Sequence, residues 1–331
     1  MSNFYLIALA PLIFFSIYLK KELIAKKLGL LDIPDKKLKN HKKDTPVIGG
    51  IIFSVITIFI LVTYIFTNYT DNILFIKILL LSLSCCIVGM IDDIYKIKAQ
   101  TKFFFSTLIL LIFLILFPEL TIKHVIFSDN FLVKNLNLEN KVLLSVAITI
   151  LCYQLLINAF NMADGHDGIA SSMAITWLVY IYFAKSNFQF LIPIITILLL
   201  FIYFNLKSKI FLGDSGNYFL STLLGSLIIL NNNISKNFLA EEIFILLMLP
   251  GYDMLRLFFV RIKNGQNPLV GDRKHLHHLL FKKINKSKTT LTYFLLFISP
   301  IFFLYFKILP ENYIIIFFLV IYILILNKLK Q

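Results

Sequence analysis

The chain has 331 residues, of which 59% are apolar and 15% charged, and its formal net charge is +14. A water-soluble domain carries roughly 45–50% apolar and about 25% charged residues, so this chain has too little polar side chain to cover a soluble surface. The basic excess is spread over the connections between apolar runs and not gathered into one patch, so no nucleic-acid partner is expected.

One bilayer crossing takes about 20 mostly apolar residues. Such runs are predicted at 3–19, 47–66, 73–91, 103–118, 142–158, 169–184, 188–205, 215–231, 241–259, 291–307 and 312–327. Residues 1–19 have no basic stretch ahead of the apolar run, so a retained first span is expected, not a cleaved leader. Cys85, Cys86 and Cys152 lie inside apolar runs without metal or disulfide spacing. With no repeat, low-complexity tract or linker, residues 1–331 read as a single membrane-embedded domain. The expected fold is all-α and polytopic, with about 10–11 transmembrane helices.

Lysine and arginine set the orientation of such a chain. Segment 20–46 alone holds nine lysines. With this segment and its alternate loops on one side, that side carries 24 Lys and Arg and the opposite loops six. The positive-inside rule then puts the N-terminus outside and the C-terminus in the cytoplasm. Asp92, Asp93, Asp164, Asp167, Asp214 and Asp272, with His41, His166, His275, His277 and His278, all fall on the cytoplasmic side. The opposite loops read as chemically plain, 119–141 included, so any chemistry is expected on the cytoplasmic face.

Five polar clusters carry that expectation. His41, Lys42, Lys43, Asp44, Thr45 and Pro46 precede Gly49 and Gly50, where paired glycines allow close packing. Asp92 and Asp93 sit at the C-terminal end of the third span, where the helix dipole and mutual repulsion both disfavour carboxylates; a bound Mg2+ or a proton-transfer role would offset that cost. Lys102 follows at the mouth of the fourth span, placed to meet phosphate oxygens. Residues 158–168 offer Asn158, Asn161, Asp164, Gly165, His166, Asp167 and Gly168 between two spans, a set of oxygen donors suited to Mg2+. Gly213, Asp214 and Ser215 open the eighth span; Asp214 or Ser215 is expected to cap that helix, beside amides that favour phosphate. Arg273, Lys274, His275, His277 and His278 lie in a long basic loop and read as a phosphate-binding patch, because no Cys or Glu completes a zinc site nearby. Together the clusters suggest a Mg2+-diphosphate site at the membrane surface.

The order of these motifs resembles the polyprenyl-phosphate N-acetylhexosamine-1-phosphate transferases. The resemblance rests on residues 41–50, Gly89 to Asp93, 158–170, Phe211 to Asn217 and the His-x-His-His of His275, His277 and His278. That form of the histidine motif is similar to the branch that initiates O-antigen and related surface glycans; the peptidoglycan branch typically carries three consecutive histidines. The resemblance implies transfer of HexNAc-1-phosphate, with GlcNAc first among the sugars, from a UDP-sugar to undecaprenyl phosphate, giving UMP and the lipid diphosphate in a bacterial inner membrane. It implies Mg2+, or Mn2+, as cofactor, with Asp214, Asn161 and Asp93 as metal or diphosphate ligands. Asp92 and Asp93 match the pair that activates or orients the lipid phosphate, and Asp164 an essential carboxylate. Asp167 matches a uracil contact. Lys102 and Lys43 or Lys42 match phosphate contacts, and Arg273, His275, His277 and His278 a sugar-phosphate patch in which His278 is counted as catalytic. Gly165 and Gly213 fall in the substrate-binding motifs.

Two positions depart from the family pattern. His166 stands where an aliphatic residue is usual, and Asn217 where Ser is usual. Both flank the site, and with Arg256, Arg261 and loop 264–272 they bear on the sugar. UDP-linked FucNAc, QuiNAc and diNAcBac, or a phospho-MurNAc-pentapeptide donor, stay open. So do direct attack against a covalent aspartyl intermediate, and a homodimer against other oligomeric states. The competing classes are a transporter or flippase, which would place polar groups at mid-depth, and a non-catalytic scaffold.

Overall fold

The computed structural model describes residues 2–34, 44–66, 73–128, 134–164, 167–185, 190–266 and 274–330. Among them are thirteen α-helices. In chain order these are α1 (Ser2–Leu19), α2 (Lys21–Leu28), α3 (Gly49–Phe66), α4 (Ile73–Tyr95), α5 (Ala99–Leu116), α6 (Val142–Ala163), α7 (Ile169–Tyr180), α8 (Leu191–Asn205), α9 (Gly213–Ser235), α10 (Ala240–Lys263), α11 (Leu276–Lys283), α12 (Lys286–Tyr305) and α13 (Glu311–Lys330). Every expected span falls on one of these helices, and only α2 and α11, both in lysine-bearing segments, lie outside them. Short strands β1 (Leu31–Asp32) with β2 (Thr45–Pro46), and β3 (His124–Ile126) with β4 (Asn135–Asn137), form two small antiparallel pairs.

Seven helices, α3 to α6, α10, α12 and α13, are long and apolar enough to cross a membrane. The other expected crossings fall on shorter apolar helices, α1, α7 and α8, and on α9. The reason α9 is less apolar is its position. It is buried almost throughout, against α3, α4, α6 and α7. Its hydroxyls bond back into their own helix: Ser221 to the carbonyl of Asn217, Thr222 to that of Tyr218, Ser226 to that of Thr222. The Ser226 hydroxyl also pairs with Tyr153 of α6 at 2.8 Å. A helix shielded by protein can hold satisfied polar groups that a lipid-facing helix cannot.

Two boundaries and one connection differ from the sequence reading. α6 runs on to Ala163, so Asn158 and Asn161 lie in its last two turns and not in a loop. α5 starts at Ala99, which puts Lys102 inside its first turn. The connection 119–141, expected to be plain, carries a set of polar contacts among its described residues at the far end of the bundle. There Lys77 pairs with Glu119, the Asn233 amide donates to the carbonyls of Glu119 and Thr121, and the Glu241 carboxylate accepts from Ser128.

Candidate active site

The motif-bearing ends of α4, α5, α6, α8 and α9 come together at the end of the bundle opposite that assembly. The segment entering α3 pairs with the segment entering α9: Val47 bridges Phe211, Phe211 N donates to Pro46 O at 2.9 Å, and Gly49 N to Phe211 O at 3.1 Å. The fit depends on missing side chains. A Cβ on Gly89 of α4 would lie 2.5 Å from the backbone of Asp214 and Ser215. Gly213 has φ +74°, and a Cβ there would meet the Asp93 carboxylate at 2.6 Å. The close packing expected of Gly49 and Gly50 is also present, against Leu212 and Ser215.

This contact resolves the cost of two carboxylates at a helix C-terminus. Asp93 accepts from Asp214 N (2.9 Å), Ser215 N (3.0 Å) and Ser215 Oγ (2.6 Å). The unfavourable dipole of α4 is thus met by the favourable N-terminus of α9. The cap of α9 is Asp93, reaching across 121 residues of sequence, and not Asp214 or Ser215 as expected. Those two lie within the first helical turn, and Leu212 at the cap position makes no side-chain bond. Asp92, 6% exposed, points to another partner: Lys102 Nζ donates to Asp92 Oδ2 at 2.7 Å and to Asp214 Oδ2 at 2.6 Å. Three carboxylates and one ammonium therefore meet at the junction of α4, α5 and α9.

One turn along α9, Asn217 Nδ2 donates to Asp164 Oδ2 at 2.9 Å, which ties the C-cap of α6 to the same helix face. Burial pushes the Asp164 carboxyl well above its ordinary range; the Asn217 bond opposes this, and the nearby charges of Asp214, Asp167 and Asp93 add to it. A buried carboxylate whose proton affinity is raised by neighbouring acids marks a place that favours cations. The side-chain oxygens of Asn161 and Asn217 are buried and have no hydrogen-bond partner among the described residues. Unpaired buried acceptors next to crowded carboxylates fit a hard cation, which takes oxygen ligands. No group of three His, Cys, Asp or Glu among the described residues is arranged to hold a metal, so a cation here would take fewer carboxylate ligands and complete its shell with amide, phosphate or water oxygens.

Two further clusters flank this centre. The Asp167 carboxylate pairs with Lys286 at the start of α12 and with the Ser208 hydroxyl, and Lys286 Nζ also donates to Ser208 Oγ at 2.6 Å. Asn205 accepts from Gly168 N (2.9 Å) and from Ser171 Oγ (3.1 Å) and donates to Ile210 O, fastening the start of α7 to the α8–α9 connection. His275, at the N-cap position of α11, bonds Asp253 of α10, and its ring stacks on that of His277 at 5.8 Å. His278 lies beside His277 at 4.2 Å. The bonds described for His275 run to α10, not to the carboxylate centre. Lys42, Lys43, Gly165, His166, Asp272 and Arg273 lie outside the described residues, so nothing places them.

Sequence reasoning passed over Lys286, Ser208, Asn205 and Tyr322. None sits in a dense polar motif, and each gains its meaning only from a partner 34 or more residues away. Asp253 carried the stronger signal, a carboxylate inside an apolar helix.

An apolar cavity of about 480 Å3 lies between α6, α9 and α10. It extends from Ile122 and His124 at the far end to Ala159, two residues before Asn161.

Comparison with known proteins agrees with this geometry. The sequence model of glycosyl transferase family 4 matches residues 75–232, the stretch from α4 to the end of the buried part of α9. The chain is similar to a probable undecaprenyl-phosphate N-acetylglucosaminyl 1-phosphate transferase of Bacillus subtilis, 29% identical over 78% of this chain and 71% of the relative. It is similar to an undecaprenyl-phosphate alpha-N-acetylglucosaminyl 1-phosphate transferase of Thermotoga maritima, 27% identical over 81% and 78%. A phospho-N-acetylmuramoyl-pentapeptide-transferase of Prochlorococcus marinus is 29% identical over 87% and 86%. With a bundle of apolar helices that brings the motif carboxylates to one end, the chain is a multi-pass membrane enzyme that is similar over residues 75–232 to glycosyl transferase family 4 and, over most of its length, to polyprenyl-phosphate sugar-1-phosphate transferases.

Proposed function

We propose that the enzyme transfers N-acetylglucosamine-1-phosphate from UDP-N-acetylglucosamine to undecaprenyl phosphate at the cytoplasmic face of a bacterial inner membrane, the first step of a cell-surface glycan. The observation that carries this reading is the junction of Asp92, Asp93, Asp214 and Lys102 at the ends of three helices. In the reaction a lipid-phosphate oxygen bonds the β-phosphorus, the bond from that phosphorus to the bridging oxygen breaks, and UMP leaves. Nucleophile and electrophile are both anionic, so the site must supply positive charge.

Lys102 supplies one such charge, held between two carboxylates that also keep it at the helix ends. Asp93 is spent on capping α9, so its contribution is to hold Asp214 and Ser215 in place. Asp92 has no such duty and is the acid assigned to orient or deprotonate the lipid phosphate. Asp214, with the buried oxygens of Asn161 and Asn217, would hold Mg2+, which when bound neutralises diphosphate charge. The basic count of 24 against six supports a cytoplasmic site. The apolar cavity beside Ala159 suits an isoprenoid chain entering from the bilayer.

The test is UMP release by the purified chain from a panel of UDP-sugars with undecaprenyl phosphate, with and without Mg2+. Turnover with UDP-N-acetylglucosamine supports the reading. Turnover only with UDP-linked FucNAc, QuiNAc or diNAcBac, or with the pentapeptide donor, would keep the chemistry and replace the sugar. No turnover with any donor would remove the assignment.

A further inference from the structure

Asp253 lies in α10, ten residues before its C-terminus, and is 4% exposed. A buried carboxylate costs several kcal/mol unless it is fully paired. Here both oxygens are used, and they are used differently. Oδ1 accepts from Arg256 Nη2 at 2.7 Å and from the Tyr322 hydroxyl of α13 at 3.0 Å. Oδ2 accepts from Leu276 N, the first amide of α11, at 3.0 Å, and pairs with His275 Nδ1 at 2.8 Å. Arg256 in turn donates to the Tyr322 oxygen and to Lys274 O, so the oxygen that faces α11 is aimed by the residues that hold the other one.

If Asp253 served only to pair with Arg256, both oxygens could be turned to the guanidinium. One of them instead carries the ring nitrogen and the helix start of the histidine motif. We propose that Asp253 is a positioning residue for the transfer reaction. Its carboxylate keeps the proton of His275 on Nδ1 and fixes the start of α11, so that His275 Nε2, the His277 ring stacked on it and the neighbouring His278 are presented to the sugar phosphate. This rests on the reading that the histidine motif contacts that phosphate. A hydrogen bond from one ring nitrogen decides what the other can do.

The charged and titratable groups around His275 among the described residues are Asp253 and Arg256 of α10, Lys274 beside it in the chain, His277 and His278 of α11, and Tyr322 of α13, with Tyr293 of α12 facing the His277 ring. Asp253→Asn keeps the shape and the Oδ1-side bonds, but turns an amide donor toward two donors, His275 Nδ1 and Leu276 N.

The experiment uses the full chain in detergent, with undecaprenyl phosphate and UDP-N-acetylglucosamine, and follows kcat and KM. Asp253→Asn should lower kcat by about 10- to 100-fold, the range for losing the partner that orients a functional histidine. The loss should fall on kcat and leave KM for the UDP-sugar close to that of the parent, the sign of an interaction realised in the transition state. Tyr322→Phe removes a bond from Oδ1 without touching His275, and should cost less kcat than Asp253→Asn. In a His275→Gln background, Asp253→Asn should cost less than about twofold of the residual turnover, the sign of two residues acting as a unit. A parent-like kcat for Asp253→Asn, a loss confined to KM, or an undiminished cost in the His275→Gln background overturns the proposal. Parent-like turnover of His275→Gln itself would instead overturn the reading of the histidine motif on which the proposal stands.

Discussion

Asp93→Asn separates a capping acid from a reacting one. In the parent chain the Asp93 carboxylate accepts from two backbone amides and one hydroxyl of α9, at 2.9, 3.0 and 2.6 Å. Asparagine has the same size but only one acceptor oxygen, and its NH2 group must face at least one of the α9 amides. One buried N–H left unpaired costs about 1–3 kcal/mol. Losing the negative charge at a helix N-terminus costs roughly another 0.3–1 kcal/mol, and up to about 2 in a partly buried setting. The expected total is about 1–5 kcal/mol. Asp92→Asn removes one contact to Lys102 and no backbone cap. Thermal unfolding in detergent should therefore show Asp93→Asn melting several degrees below Asp92→Asn, while UMP release is lost in both. If the two variants melt together, or if Asp93→Asn melts with the parent, the capping account is wrong.

Other expectations follow from the same junction. Gly89→Ala puts a Cβ within 2.5 Å of the Asp214 and Ser215 backbone, so α9 must shift from α4; turnover should fall at least about tenfold, and an active, parent-like variant would show that the helices are not held this closely. Lys102→Met leaves Asp92 and Asp214 uncompensated and should lower kcat by about 100-fold or more, with Lys102→Arg recovering only part of it because a planar guanidinium cannot replace a point charge held between two carboxylates. Chelation by EDTA should stop UMP release and added Mg2+ restore it; Asn161→Ala and Asn217→Ala should each raise the Mg2+ needed for half-maximal activity by about 10- to 100-fold, and an unchanged requirement in both would remove the amide oxygens from the metal assignment. At the far end, Lys77→Met breaks the pair with Glu119 between partly exposed side chains and should cost less than about 1 kcal/mol, with turnover unchanged.

Hydropathy and the lysine distribution were enough to read a polytopic helical bundle from the sequence, because lipid demands long apolar helices wherever a chain crosses it. The same reading singled out Asp92, Asp93, Lys102, Asp164 and Asp214 as site candidates, since acids and lysines crowded beside apolar spans are costly without a purpose, and the fold brings them to one end of the bundle. It could not read the division of labour between Asp92 and Asp93. The two are adjacent in sequence and chemically identical, and only the docking of α9 against Gly89 decides that one caps a helix and the other faces a lysine. The Asp253–Arg256 pair is legible because it is three residues apart on one helix, but the partners of Asp167 and Glu241, the bonds from Asp253 to Tyr322, His275 and Leu276, and the polar contacts of 119–141 are not, because those contacts join helices far apart in the chain. Local composition determines which residues must leave lipid and which must be paired. Which pairs form is decided by how the helices pack, since side-chain hydrogen bonds reach only about 3 Å and each needs a partner brought to that distance.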